Sequence, residues 1–136
     1  MNISNHANDI PIYYLPGHGG RITKGLGQAM VGRGYKVVGR ETVGDFKKLD
    51  FNDQVATIAN DIKEHFWRED AKIIANSFGG YLLLHALLKL DPYIGKIQLW
   101  AATAKMVRIV LLCNKNSAVI RSTICRINMK IVIEAR

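Results

Sequence analysis

The chain has 136 residues, of which 49% are hydrophobic and 22% are charged, and its formal net charge is +8. This length and composition are ordinary for a single globular domain with a buried core. No apolar run approaches the roughly 20 residues that span a bilayer, and the first residues lack the basic and apolar regions of a signal peptide, so we expect a cytoplasmic protein without a membrane partner.

The positive charge is concentrated in the last part of the chain. Residues 101–136 contain seven basic residues and one acidic residue, so they carry +6 and residues 1–100 carry only +2. This basic tail lacks the aromatic side chains on which single-strand binders stack bases, so we expect no specific nucleic-acid partner. Its two cysteines, Cys113 and Cys125, match no metal-binding or redox spacing. We therefore predict free thiols and no metal site.

The first half of the chain alternates between short apolar runs and segments of helical periodicity. Residues 10–15 form a continuous apolar run typical of a strand buried on both faces. A glycine-rich turn follows, then a predicted helix over 23–33 and a second strand over 35–39. Residues 40–45 are predicted to form a polar loop.

The same alternation continues to residue 100. Asp50 is a good N-cap for a helix, with Asp53 in the position of a capping-box acid. The core-facing side of that helix consists of Val55, Ile58, Ala59, Ile62 and Phe66. A third strand over 72–75, a helix reaching Leu90 and a fourth strand over 97–100 complete the pattern. Strands that alternate with helices predict an α/β fold, a parallel sheet flanked by helices.

The most informative stretch is Ala75-Asn76-Ser77-Phe78-Gly79, which joins the third strand to the next helix. It matches the nucleophile elbow G-x-S-x-G, with alanine in place of the first glycine. Small residues are needed at both ends because the helix packs closely against the strand. Ser77 would then lie at the tip of a strained turn with its hydroxyl exposed. The alternative is that Ser77 only caps the following helix.

A second motif, Gly17-His18-Gly19-Gly20, follows the first strand. In a parallel sheet this loop and Ser77 lie at the same edge, the carboxyl ends of the strands. Backbone N–H groups of such a loop can stabilise a developing oxyanion. The alternatives are a plain turn or an anion site at a helix N-terminus.

The two motifs together resemble the N-terminal half of an α/β-hydrolase, and more narrowly a small bacterial serine hydrolase without a large lid. The resemblance covers about residues 10–100 and implies part of a three-layer sandwich. It also implies hydrolysis of an ester, thioester or amide in a small-molecule acyl substrate, without a cofactor. The implied residues are Ser77 as nucleophile, Phe78 and His18 or Gly19 as oxyanion donors, and Ala75, Gly79, Gly17 and Gly20 as support.

The catalytic partners of the serine are the part of the family pattern that this sequence lacks. In that fold an acid and then a histidine follow the nucleophile. Here the only later histidine is His85, and the only acidic residue beyond Pro92 is Glu134. At 1.5 Å per helical residue, His85 lies on the order of 12 Å from Ser77, so we interpret it as a packing residue. A set of Ser77, His18 and Glu41 is an alternative.

The basic tail also differs from the rest of the chain in composition. Residues 101–136 contain no glycine, proline or aromatic residue. We therefore divide the chain into a hydrolase-like core, residues 1–100, and a basic tail, residues 101–136. One hypothesis is that the tail results from truncation or a shifted reading frame, which would leave the hydrolase without a working triad. The other is that it adds strands, for which residues 109–113, 118–120 and 131–133 are candidates.

Three functions are compatible with the sequence. The first is a serine hydrolase-like protein that acts through Ser77 and is inactive if its triad is incomplete. The second is a non-catalytic protein that holds a small anion at the glycine-rich loop. The third is a binder of nucleic acid or another acidic partner through the basic tail. The oligomeric state is not predicted.

Overall fold

A computed structural model describes residues 10–101 and 128–133. The strands are β1 (Ile12–Leu15), β2 (Val37–Gly39), β3 (Lys72–Asn76), β4 (Lys96–Ala101) and β5 (Asn128–Ile133). The helices are α1 (Leu26–Gly32), α2 (Gly44–Lys48), α3 (Phe51–His65) and α4 (Phe78–Leu87). Within the described residues no helix is long and apolar enough to cross a membrane.

The strands form one parallel sheet in the order β2-β1-β3-β4-β5. Side chains alternate between its two faces and build two apolar cores. The larger core joins β1, β3 and β4 to α3 and α4, and the smaller one joins Ile12, Tyr14 and Ile74 to α1. The predicted α/β class, a parallel sheet between helices, is therefore confirmed.

The helix α3 forms as the sequence predicts. Asp50 caps it, because its side chain accepts a hydrogen bond of 2.8 Å from the Asp53 N–H. The buried side of α3 consists of Gln54, Val55, Ile58, Ala59 and Ile62. Phe66, predicted as part of this stripe, lies at the C-cap and packs half-buried against the same core.

Three helix boundaries differ from the predictions. The first helix starts at Leu26 rather than 23, because residues 21–25 form a turn in which Gly25 has a φ of 58°. The short helix α2 was not predicted, and its first two residues, Gly44 and Asp45, lie within the stretch that was predicted as a loop. The helix α4 ends at Leu87 instead of Leu90. The residues after Leu87 form hydrogen bonds between positions i and i+3, as in a 3₁₀ turn, for example from Lys89 N–H to the Ala86 carbonyl at 3.0 Å.

The tail contributes the edge strand β5, which pairs with β4. The candidate strand over 131–133 lies within β5. The candidate strands over 109–113 and 118–120 lie outside the described residues, as do both cysteines and Glu134.

One polar cluster connects β1, the end of β2 and α3. The Tyr13 hydroxyl donates to Asp61 Oδ2 at 2.8 Å, and Arg40 donates to both carboxylate oxygens at 2.7 and 2.9 Å. Burial alone would raise the pKa of Asp61, but the hydrogen bonds from Arg40 and Tyr13 outweigh it and lower that pKa. Burial and the neighbouring carboxylate raise the pKa of Tyr13, so its hydroxyl stays protonated and donates.

We predict that Asp61→Asn destabilises the fold by about 1.5–3 kcal/mol at pH 7, the usual contribution of hydrogen bonds to a charged group. The folded-state pKa of Asp61 lies below its unfolded value of about 3.9. The stabilisation of the fold by the ionised Asp61 is therefore complete above about pH 3.9. It is lost as the pH falls through the folded-state pKa. Urea unfolding of both proteins between pH 7 and pH 3 should show the difference shrinking.

Asp70→Asn is the matched control for this experiment. Asp70 pairs with Arg68 at 2.8 Å, but both side chains are at least half exposed. Exposed pairs contribute about 0–1 kcal/mol. Equal losses of stability in the two variants would contradict the role assigned to Asp61.

Candidate functional site

The backbone of Ser77 has an unusual conformation. Its φ is 50° and its ψ is −114°, and among the described residues it is the only non-glycine residue with a positive φ. Such a conformation costs a residue with a Cβ on the order of 1–3 kcal/mol. The Ser77 N–H donates to the Trp100 carbonyl at 2.7 Å, and Tyr81 N–H donates to the Ser77 carbonyl at 3.2 Å. The chain therefore makes a strained strand-to-helix turn at Ser77.

The side chain of Ser77 does not cap α4. Ser77 occupies the N-cap position, but its hydroxyl makes no capping hydrogen bond to the helix. The capping interpretation thus does not account for a serine at this position. Ser77 is half-buried, and within residues 10–101 and 128–133 its hydroxyl has no hydrogen bond, so in that part of the chain it is not committed to a structural role.

Small residues at both ends of the turn allow β3, β1 and α4 to approach closely. Ala75 is fully buried in the larger core. A Cβ on Gly79 would collide with the Leu15 carbonyl and lie 2.6 Å from the Pro16 carbonyl oxygen. On Gly80 it would collide with the Leu99 side chain. These contacts support the sequence argument that the helix packs tightly, and they lie at Leu15 and Pro16, at the end of β1, and at Leu99 of β4.

The glycine-rich loop lies beside this turn. A Cβ built on Gly17 would lie 3.5 Å from the Ser77 Cβ, in ordinary van der Waals contact, so the loop backbone lies directly beside the serine. Gly20 N–H donates to the Gly17 carbonyl at 2.9 Å and closes the loop. Gly19 has a φ of 71° and is exposed, as is His18. The structure thus brings Gly17 to Ser77, as their common position at the carboxyl edge predicts.

Two residues of the β2–α2 connection support the loop from outside. Thr42 is buried, donates its hydroxyl to the Gly17 carbonyl, and accepts from Gly20 N–H at 3.1 Å. Glu41 accepts from Ile22 N–H at 3.0 Å. The carboxylate that we considered as the acid of a triad is therefore engaged with the backbone that follows the loop. The role of Thr42 was missed, because contacts 22 and 25 residues apart leave no local pattern in a sequence.

The histidines of the described residues lie in different places. The His18 ring meets the Phe78 ring edge-on, with 5.6 Å between centroids. His85 packs against Tyr81 and Phe51 with centroids at 4.7 and 5.1 Å, its Nε2 is buried without a partner, and burial lowers its pKa. His65 is exposed at the end of α3, 3.9 Å from the Glu64 carboxylate. His85 is thus the packing residue that helical spacing predicts.

The rings form a continuous aromatic strip along α4. It starts at His18, runs through Phe78 and Tyr81, and ends at His85 and Phe51. The spacing of four residues between Ser77, Tyr81 and His85 places them on one face of α4. This spacing could have been recognised in the sequence, but we interpreted His85 without its neighbours.

Comparison with known proteins identifies no family for this chain. No family model matches it, and no curated protein does. It is similar to a solved structure described as "RedJ with PEG molecule bound in the active site", with 14% sequence identity and a TM-score of 0.49. The alignment covers 93% of this chain and 63% of that chain.

We predict that Ser77→Gly is more stable than Ser77→Ala by about 1 kcal/mol, because only glycine adopts this backbone conformation without strain. The matched pair is Asn60→Gly and Asn60→Ala on the exposed side of α3. There the alanine variant should be more stable by about 1 kcal/mol. Urea unfolding of the four variants measures both differences, and the same order at both positions would contradict the strained turn.

A second prediction concerns the approach of α4 to β1. Gly79→Ala should destabilise the fold by about 1–3 kcal/mol, because the backbone carbonyls that it meets cannot move aside like a flexible side chain. Gly32→Ala, in α1, is the control, since a Cβ there has no neighbour within 4 Å. It should stabilise the fold by about 0.5–1 kcal/mol. A neutral Gly79→Ala would refute the close packing at this turn.

Proposed function

We propose that this protein is serine hydrolase-like and that Ser77 is its nucleophile, with small-molecule esters, thioesters or amides as the acyl donors. The observation that carries the proposal is the positive φ of Ser77, in a turn where its hydroxyl does not cap α4 and lies beside a glycine-rich loop. Backbone strain at a non-glycine residue is concentrated at functional sites. The fold alone would not support it, since α/β sheets host many functions.

In the proposed reaction the Ser77 oxygen attacks the acyl carbon, and the carbonyl electrons move to the carbonyl oxygen. The N–H of Phe78 and an N–H of His18 or Gly19 are the proposed donors to this oxyanion. Phe78 is the first residue of α4, so the positive end of the helix dipole also favours negative charge there. The hydroxyl proton passes to a base, which gives it to the leaving atom as the intermediate collapses, so that the alcohol, thiol or amine departs and an acyl-serine remains. Water then attacks the acyl-serine, releases the acid and returns the proton to Ser77.

The base is the weak part of this site. The described residues place His85 in the aromatic strip and Glu41 on the backbone after the glycine-rich loop. Enzymes that lose one member of the triad retain only about 10³–10⁴-fold acceleration over water. We therefore propose that Ser77 is acylated by activated reagents but that turnover of ordinary esters is slow. No cofactor or metal has a role in this reaction.

The anion-binding alternative has less support. The Gly20 N–H is already used within the glycine-rich loop and by Thr42. The helix α1 starts only at Leu26, so its N-terminus is separated from the loop by residues 21–25. A cytoplasmic location stays a prediction from the sequence.

A fluorophosphonate probe tests the nucleophile. We expect the folded protein to be labelled at Ser77, Ser77→Ala to be unlabelled, and heat-denatured protein to be unlabelled, because only the folded site supplies the oxyanion donors. Intact-mass and peptide mass spectrometry identify the modified residue. Thr57→Val is the control, since this residue also carries a hydroxyl but uses it to donate to the Asp53 carbonyl in α3. It should be labelled like the wild type.

Two results would contradict the proposal. One is the absence of labelling in protein whose circular dichroism and unfolding transition are normal. The other is equal labelling of the wild type and Ser77→Ala. If labelling succeeds, p-nitrophenyl acetate should give a burst of about one equivalent followed by a slow steady state.

A further inference from the structure

A groove lies on the α1 face of the sheet, at the end opposite to Ser77. Its volume is about 440 Å³, within the range of about 300–1,000 Å³ that is typical of small-molecule sites. The C-terminal end of α1 forms one wall, and β3 and β4 form the floor. We call it the rear groove.

The rear groove has an apolar floor. Ile12 and Met30 are 4% and 7% exposed and belong to the smaller core, and the half-buried Ile74 packs against that core. Gln98, which is register-paired with Ile74, adds one amide to the floor. Of these three apolar side chains, Ile74 is the one with substantial surface left for a ligand to cover.

Three cations surround this floor. Lys72 and Lys96 are register partners in adjacent parallel strands, and Arg33 approaches from the end of α1. The ion pairs of the described residues use other cations, Arg40, Lys48, His65 and Arg68, so none of the three has a carboxylate partner in that part of the chain. The Lys72 ammonium lies 5.9 Å from the centre of the Tyr35 ring.

The two lysines repel each other. Strands in a sheet are about 4.8 Å apart, and like charges placed side by side on them are destabilising. An anion between the lysines would remove this repulsion, and an apolar chain attached to it would cover Ile74. Charge and hydrophobicity thus favour the same ligand, which combines one anionic group with one apolar chain.

We propose that the rear groove binds a single-chain amphiphile with an anionic head, such as a medium-chain carboxylate. The head lies between Lys72, Lys96 and Arg33, and the chain lies on Ile12, Met30 and Ile74. Lys72 is the first residue of β3 and Ser77 follows its last. At about 3.3 Å per strand residue, the two sites are on the order of 15 Å apart. The rear groove is therefore independent of the proposed hydrolase site.

The test is a calorimetric titration of the full chain with sodium decanoate, kept below its critical micelle concentration. The variant Lys72→Gln/Lys96→Gln removes both charges and keeps most of the stems. Its affinity should fall about tenfold or more, as expected from the loss of charge-assisted hydrogen bonds. The control Lys24→Gln/Lys47→Gln removes the same charge from exposed sites outside the groove and should bind like the wild type.

Two further ligands separate the contributions. Decyltrimethylammonium has the same chain with the opposite charge, and acetate has the anionic group without the chain. Both should bind at least about tenfold more weakly than decanoate, since each lacks one of the two contributions. Amide chemical-shift changes should be concentrated at Ile12, Ile74 and Gln98.

Several outcomes would overturn the proposal. Equal losses of affinity in the two double variants would mean general attraction to a basic protein. Binding of the ammonium as tight as that of decanoate would mean a purely apolar surface, and acetate as tight as decanoate would mean a simple anion site. Circular dichroism of each variant shows that the fold is intact, so weak binding reports on the groove.

Discussion

The start of α4 is held so close to the sheet that its backbone touches the backbone of β1. A Cβ at position 79 would collide with the Leu15 carbonyl, and the Ser77 N–H is bonded to Trp100 of β4 at 2.7 Å. Between these two contacts the chain turns with a positive φ at Ser77. The same approach brings Gly17 to the serine. Both motifs of the candidate site therefore depend on one steric constraint.

The strain at this turn is small relative to the burial that supports it. A residue such as Ser77 in this conformation costs on the order of 1–3 kcal/mol. The helix that follows buries Leu82 and Leu83 completely, and Leu99 is completely buried beneath Gly80. Each such side chain contributes about 1.5–3 kcal/mol. The core thus holds the turn in place, and the polar cluster of Tyr13, Arg40 and Asp61 fixes α3 over the same sheet face.

The features that could be predicted from the sequence are local ones. Asp50 and its helix, and the alternation of strands and helices, follow from residues within a few positions of each other. The contacts that were missed join distant residues, such as Thr42 to Gly17 and Asp61 to Tyr13, 25 and 48 residues apart. Register was equally inaccessible, because nothing local places Lys72 beside Lys96. The nucleophile role of Ser77 itself stays a prediction.

The helices cover the two faces of the sheet unequally, and this leaves a groove beside the first residues of β3. The faces of β3 and β4 toward α3 and α4 are packed, as the burial of Ile73, Ile97 and Leu99 shows. On the other face α1 has only seven residues, and it packs on β1 and β2. The first residues of β3 and β4 are thus left beside a groove, and both are lysines. A long charged side chain can cover apolar surface with its stem, but two adjacent ones also concentrate positive charge. In the part of the chain that the structure describes, the short helix leaves this face partly uncovered, and an anionic amphiphile of the proposed kind would cover it.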